Sequence, residues 1–189
     1  MKTNNISLPI FPLPIFLLPE GVTKLRIFEP RYLKMISIAS QGSGFVIWSK
    51  NAKNSLSNSL WGSWVEIINF DQGQDGILEV DVKCKALVEL SVIDTDSDNL
   101  YFGDIKEINH WSQTDIDSSI VELSTSLADV FDNNPSLSEL YPHKAIDRPS
   151  WVIARWLELL PINIDVKTTF IVEHNFQAAK ELVQSVINQ

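Results

Sequence analysis

Two apolar periodicities divide this chain near residue 110. Before it, apolar residues recur mainly at every second position; beyond it, at every third or fourth. The clearest alternation spans residues 78–88, where Leu78, Val80, Val82, Cys84, Ala86 and Val88 interleave with Glu79, Asp81, Lys83, Lys85 and Leu87. Period two with one apolar face predicts a half-buried strand, with Cys84 turned to the core. Shorter extended runs cover residues 7–13, 23–28, 45–48, 64–70 and 102–108. Pro9 and Pro12 interrupt the first run. A proline cannot donate to a ladder, so that strand is expected at a sheet edge or a bend. The turn formers at 71–76 and 94–99 predict hairpin connections, and the Asn- and Ser-rich residues 50–59 a surface loop. Pro30 is suited to open a helix, where its missing N–H costs nothing. Tyr32, Leu33, Ile36 and Ala39 would form that helix's buried stripe, with Gly42 and Gly44 as its stop.

Beyond residue 110 the helical signal dominates. Ile120, Leu123, Leu127, Val130 and Phe131 fall on one face, behind a capping-box pair, Ser119 and Glu122. Ser136 and Glu139 repeat that signature, and Ser150 is placed to cap a third helix carrying Ile153, Trp156, Leu157 and Leu160 before Pro161. A short helix near 165–172 and a last one over 176–187 complete the series. Strands first and helices afterwards predict an α+β chain, with a β subdomain over residues 1–112 and a helical subdomain over 113–189.

Composition narrows the chemistry. The single cysteine excludes an internal disulfide and a cysteine zinc site, consistent with a reducing, cytoplasmic setting. The longest apolar run, residues 8–18, holds three prolines and is far short of the ~20 residues of a membrane span. The net charge of −9 argues against nucleic acid, whose phosphates call for clustered Lys and Arg. The charge is uneven, however: residues 1–60 carry seven basic and two acidic side chains, and residues 61–189 carry eight and 22.

No phosphate-binding glycine loop and no G-x-S-x-G elbow occurs. His110, His143 and His174 lack metal-ligand spacing. Asp94, Asp96 and Asp98 imitate the start of a calcium loop, but Asn99 and Ile105 stand where glycine and glutamate are needed. The expectation is therefore no catalytic residue, no metal and no cofactor.

One segment is far more specific: Leu8-Pro9-Ile10-Phe11-Pro12-Leu13, then Leu18-Pro19-Glu20-Gly21, then Leu25-Arg26-Ile27-Phe28-Glu29-Pro30-Arg31-Tyr32. It resembles the N-terminal substrate-recognition domain of the Lon protease family. The likeness continues in Trp61-Gly62-Ser63-Trp64-Val65-Glu66-Ile67-Ile68-Asn69-Phe70 and, more weakly, through the terminal helices, including Leu159-Leu160-Pro161. Pro12, Pro19, Gly21, Arg26, Phe28, Glu29, Pro30, Arg31 and Tyr32 carry the motif. Glu20 and Lys24 depart from it, standing where glycine and proline are common.

The resemblance implies a PUA-like β-barrel followed by a helical bundle, without the ATPase and Ser-Lys peptidase modules of full-length Lon. It also implies a non-catalytic module that binds unfolded or damaged polypeptide, or acts as an adaptor for a protease or chaperone machine, as a monomer or weak homodimer. An RNA-binding PUA-like protein is the alternative. Candidate peptide contacts are Phe16 and Leu18 in the apolar, proline-flanked segment, Trp61, and Arg31. Arg26, Glu29 and Arg31 are expected to form one fixing network at the strand-to-helix corner, because a cation in a first helical turn needs a partner against the helix dipole.

Overall fold

The computed structural model describes residues 6–49, 60–112 and 118–188. The polar loop expected at 50–59 lies outside the described residues. The chain divides into two compact units, Met1–Ile108 and Asn109–Gln189.

The first unit contains β1 (Ile6–Pro12), β2 (Val22–Ile27), α1 (Pro30–Ile38), β3 (Phe45–Trp48), β4 (Leu60–Gln72), β5 (Leu78–Thr95) and β6 (Tyr101–Ile108). The strands form one mixed sheet in the order β2-β5-β4-β3-β1-β6, and β5 also pairs with β6, which closes five strands into a ring with β2 outside it. Leu8, Ile10, Val46, Trp48, Val88 and Leu90 are its packed core. The fold is α+β, as its two periodicities predict.

β1 is an interior strand rather than an edge. Residues 6–10 pair antiparallel with β6 and residues 10–12 pair parallel with β3. The strand changes partners at Ile10, so Pro9 and Pro12 each have a ladder on one flank only. That arrangement tolerates a missing N–H that a doubly paired position would not.

β5 extends seven residues beyond the alternation that reveals it. Leu87 and Val88 are both fully buried, so the one-faced pattern ends although the strand does not. A bulge between Ser91 and Asp94 then puts the β-branched Val92 at φ +50°.

Glu20 adopts φ +67°, the left-handed conformation that explains why glycine suits this position. α1 runs into a π-helical turn, Ala39–Ser43, ended by Gly44. A Cβ on Gly44 would lie 2.1 Å from the Val65 carbonyl oxygen, so only glycine fits there. Leu33, expected on α1's buried stripe, is exposed.

The second unit contains α2 (Ser118–Asp132), α3 (Pro135–Glu139), α4 (Pro149–Leu159), α5 (Ile164–Thr168) and α6 (Phe176–Ile187). Its core joins Leu123, Leu127 and Phe131 of α2 to Trp151, Ile153 and Leu157 of α4 and Ala179 and Val183 of α6. Phe131, Tyr141 and Trp151 form an aromatic trio with centroids 5.3–6.0 Å apart. Arg155 is buried in α4 and donates two 2.7 Å hydrogen bonds to Glu158.

The helix starts differ from the Ser-based reading. α3 and α4 open on Pro135 and Pro149, with no side-chain cap from Asn134 or Arg148. Ser119 lies inside the first turn of α2. A proline at the first helical position supplies the preorganised φ that the serines were expected to replace.

Candidate functional site

Three of the four candidate peptide contacts face inward. Phe16, Leu18 and Trp61 are 8%, 0% and 2% exposed. The rings of Phe16 and Trp61 pack edge to face at 5.8 Å. The segment that carries Phe16 and Leu18 is tied down at several points. Ser63 Oγ donates to the Leu17 carbonyl at 2.6 Å, Glu20 N donates to the Cys84 carbonyl, and Cys84 N donates to the Gly21 carbonyl, the last two at 2.8 Å. A peptide could reach these side chains only by displacing this packing.

Arg31 sits in the first turn of α1. Its Nε and Nη2 donate to Glu29 Oε2 at 2.9 and 2.7 Å, and its guanidinium lies over the Tyr32 ring. The expected three-residue network is in fact two separate groups, Arg31 with Glu29 and Arg26 with partners on β5 and the turn before it. Arg26 turns away from the corner to Asp75 and Glu79. The reason is register: Arg26 is directly opposite Glu79 across the β2–β5 ladder. The Arg31–Glu29 pair is solvent-accessible, so it stabilises the corner only weakly. Asp96 and Asp98, from the imitation calcium loop, both clasp Lys34 Nζ.

An exposed apolar strand edge lies elsewhere, on the outer half of β4. Residues 60–65 are held on both sides, by β5 and, at 63–65, by β3. Trp61 and Val65 are buried, and a Cβ on Gly62 would lie 2.5 Å from Val46 Cγ1 and 2.6 Å from the Ile47 carbonyl oxygen. Residues 66–72 pair with β5 alone. Among the described residues no strand covers their other edge. Ile68 is 47% and Phe70 53% exposed there. A register shift between Ile67 and Asn69 makes Ile68 the extra residue of a bulge.

Here β2, β5 and β4 are cross-linked in rows. Lys24, Asp81 and Asn69 form one row, with Lys24 Nζ 3.3 Å from Asp81 Oδ1 and Asn69 Nδ2 donating to Asp81 Oδ2 at 3.0 Å. The hydrogen bond to Asp81 raises the Lys24 pKa above the ordinary lysine value. Leu25, Val80 and Phe70 form the next row, on the opposite face; the first two are buried and Phe70 is not. Arg26, Glu79 and Asp71 form a third. Every row begins in a paired or buried residue on β2 and ends on β4, beyond which no described strand continues it.

Neither Ile68 nor Phe70 is singled out by apolar counting, because both sit in a motif whose other members are core. The consecutive Ile67-Ile68, which breaks alternation in a strand, is the sequence signal that marks the bulge. Among the described residues no group of three His, Cys, Asp or Glu side chains is arranged to hold a metal, and no helix is long and apolar enough to cross a membrane.

Fold and surface define a class: an α+β protein whose most distinctive exposed feature is an open strand edge with two apolar side chains. The family is shown by the sequence itself. Residues 7–189 match the pattern of the ATP-dependent protease La (LON) substrate-binding domain, and the chain belongs to that family. Its fold is similar to that of a Lon N-terminal domain protein from Xanthomonas campestris, at 25% identity and a TM-score of 0.69 over 95% of this chain and 98% of that one. The N-terminal domain of Mycobacterium avium complex Lon protease shares the fold at 11% identity, with a TM-score of 0.65 over 95% and 97% of the two chains. No curated protein sequence matches the chain.

Proposed function

We propose that this substrate-binding domain captures unfolded or damaged polypeptide segments by adding them as a strand to the outer edge of β4, and that it presents them to a proteolytic or chaperone machine. The observation that carries this reading is the unfinished edge at residues 66–72, with Ile68 and Phe70 exposed beside it. Strand addition draws affinity from main-chain hydrogen bonds and selectivity from alternate side chains. It therefore suits clients that share little sequence but have lost their fold. Phe16, Leu18 and Trp61, which pack inward, are read as support for the inner half of β4 rather than as contacts for a client.

Binding of a permanently unfolded polypeptide, followed by fluorescence anisotropy, tests the proposal. The unmodified protein is expected to bind it. The double variant Ile68→Thr/Phe70→Thr, which keeps good strand formers, is expected to lose about tenfold in affinity, or ~1.4 kcal/mol. Unchanged affinity in the double variant would move the site away from β4.

A further inference from the structure

We infer that the β4 edge selects extended segments in which apolar and basic residues alternate; this rests on the strand-addition reading above and names its substrate class. The inference comes from how the cross-strand rows end. The row Leu25–Val80–Phe70 is apolar and stops at a half-exposed ring. A fourth strand would extend it with an apolar side chain beside Phe70. The neighbouring row, Arg26–Glu79–Asp71, points to the opposite face and reads cation, anion, anion. Arg26 Nε lies 3.4 Å from Glu79 and its Nη2 also pairs with Asp75, so the cation is already engaged. Asp71 is left directly opposite a like charge, which disfavours the pair. Lys24 Nζ, 3.6 Å from Glu79, lies near enough to act on Asp71 but makes no salt bridge with it, so a lysine or arginine on the incoming strand supplies the direct opposite charge.

The same alternation continues up the strand. Ile67, opposite Val82, belongs to the apolar face, and Glu66, opposite Lys83, to the polar one. Glu66 and Asp71 have no salt bridge among the described residues, but Glu66 already faces the cation Lys83, so Asp71 carries most of the charge selection. An incoming segment that places apolar residues beside Ile67 and Phe70 can place cations beside both acids, subject to the one-residue bulge at Ile68.

Charge also separates this occupant from a second copy of the chain. Each copy has a net charge of −9 and would bring its own Glu66 and Asp71 to the contact. Edge-to-edge self-pairing therefore adds repulsion, whereas a basic segment removes it.

Three short labelled peptides test the inference on the full chain. One alternates Ile or Phe with Lys, the second has Glu in place of Lys, and the third has Thr there. A fourth, the Lys peptide N-methylated at alternate residues, keeps the charge but cannot complete a ladder. The Lys peptide is expected to bind at least about tenfold more tightly than the Glu peptide at low salt, with the gap narrowing as salt screens it. Its N-methylated form is expected to lose binding, and Asp71→Asn to shrink the Lys-over-Glu preference severalfold while the Thr peptide is unaffected.

Equal affinities for the Lys, Thr and Glu peptides would overturn the charge selection and leave polypeptide binding standing. Undiminished binding of the N-methylated peptide would reduce the preference to nonspecific attraction by an acidic protein and overturn the inference. Failure of all peptides and of unfolded protein to bind would overturn the underlying reading as well. A concentration-dependent dimer that Ile68→Thr/Phe70→Thr abolishes would give the edge to a second copy instead.

Discussion

The two halves of β4 differ in almost every respect except that they are one strand. Residues 60–65 are flanked by β3 and β5, carry Trp61 and Val65 into the core and need a glycine at position 62. Residues 66–72 lean on β5 alone and expose Ile68 and Phe70. Under the strand-addition proposal, the doubly flanked inner half fixes the position of the outer one, so the open edge would not have to order itself when a partner arrives. That lowers the entropic cost of binding, the usual advantage of preorganisation. β2, the other edge of this three-stranded patch, shows what a closed edge looks like. Its apolar residues Leu25 and Ile27 are buried, and its cations Lys24 and Arg26 are paired across the ladder. Charged edges of that kind resist strand addition.

Substitutions along β4 should therefore split into those that break stability and those that break binding. The largest expected effect is Gly62→Ala. Its Cβ would meet both Val46 and the Ile47 backbone, and urea denaturation should show a loss of about 3 kcal/mol. A near-neutral result would show that the inner half is not locked.

Acidification should act on the other unit. His110 is partly buried, stacks on Trp111 and contacts the Ile171 carbonyl at 3.0 Å through Nδ1. Desolvation lowers its pKa to about 4, against a weaker opposing effect of that backbone contact. Folding thus favours the neutral ring. This contribution is complete above the unfolded value of about 6.5 and disappears as pH falls through the folded value of about 4. About 3 kcal/mol should be lost across that window, and His110→Gln should flatten the profile. An equally steep profile in that variant would refute the assignment.

Ser63→Ala ranks next, at about 1–2 kcal/mol, because it leaves the buried Leu17 carbonyl without its 2.6 Å donor. The smallest stability change belongs to the outer half. Ile68→Thr should stay within about 0.5 kcal/mol of the parent protein while still weakening peptide binding. A large destabilisation there would erase the distinction between the halves.

Much of this architecture could be read from residue order, and the exceptions share a cause. Residues 78–88 announce β5 because one face is wet; the strand's continuation is silent because Leu87 and Val88 are both buried. The final helix, Phe176–Ile187, is legible to its ends because its apolar stripe is unbroken. Helix starts at Pro135 and Pro149 were obscured by the serines beside them. For the site, apolar character pointed to Phe16, Leu18 and Trp61, but burial is decided by which strands meet across long sequence distances. Ser63 reaching Leu17 is such a contact, and no local pattern contains it. Ile68 and Phe70 are ordinary strand residues that become distinctive only because β3 ends its pairing with β4 at Val65.

Amide hydrogen exchange, with and without saturating unfolded polypeptide, tests the docking edge most directly. Strand addition predicts new protection at alternating amides within residues 66–72, with residues 60–65 already protected in the free protein and β2 unchanged. Protection that left residues 66–72 untouched and arose on β2 or on the helices would contradict it.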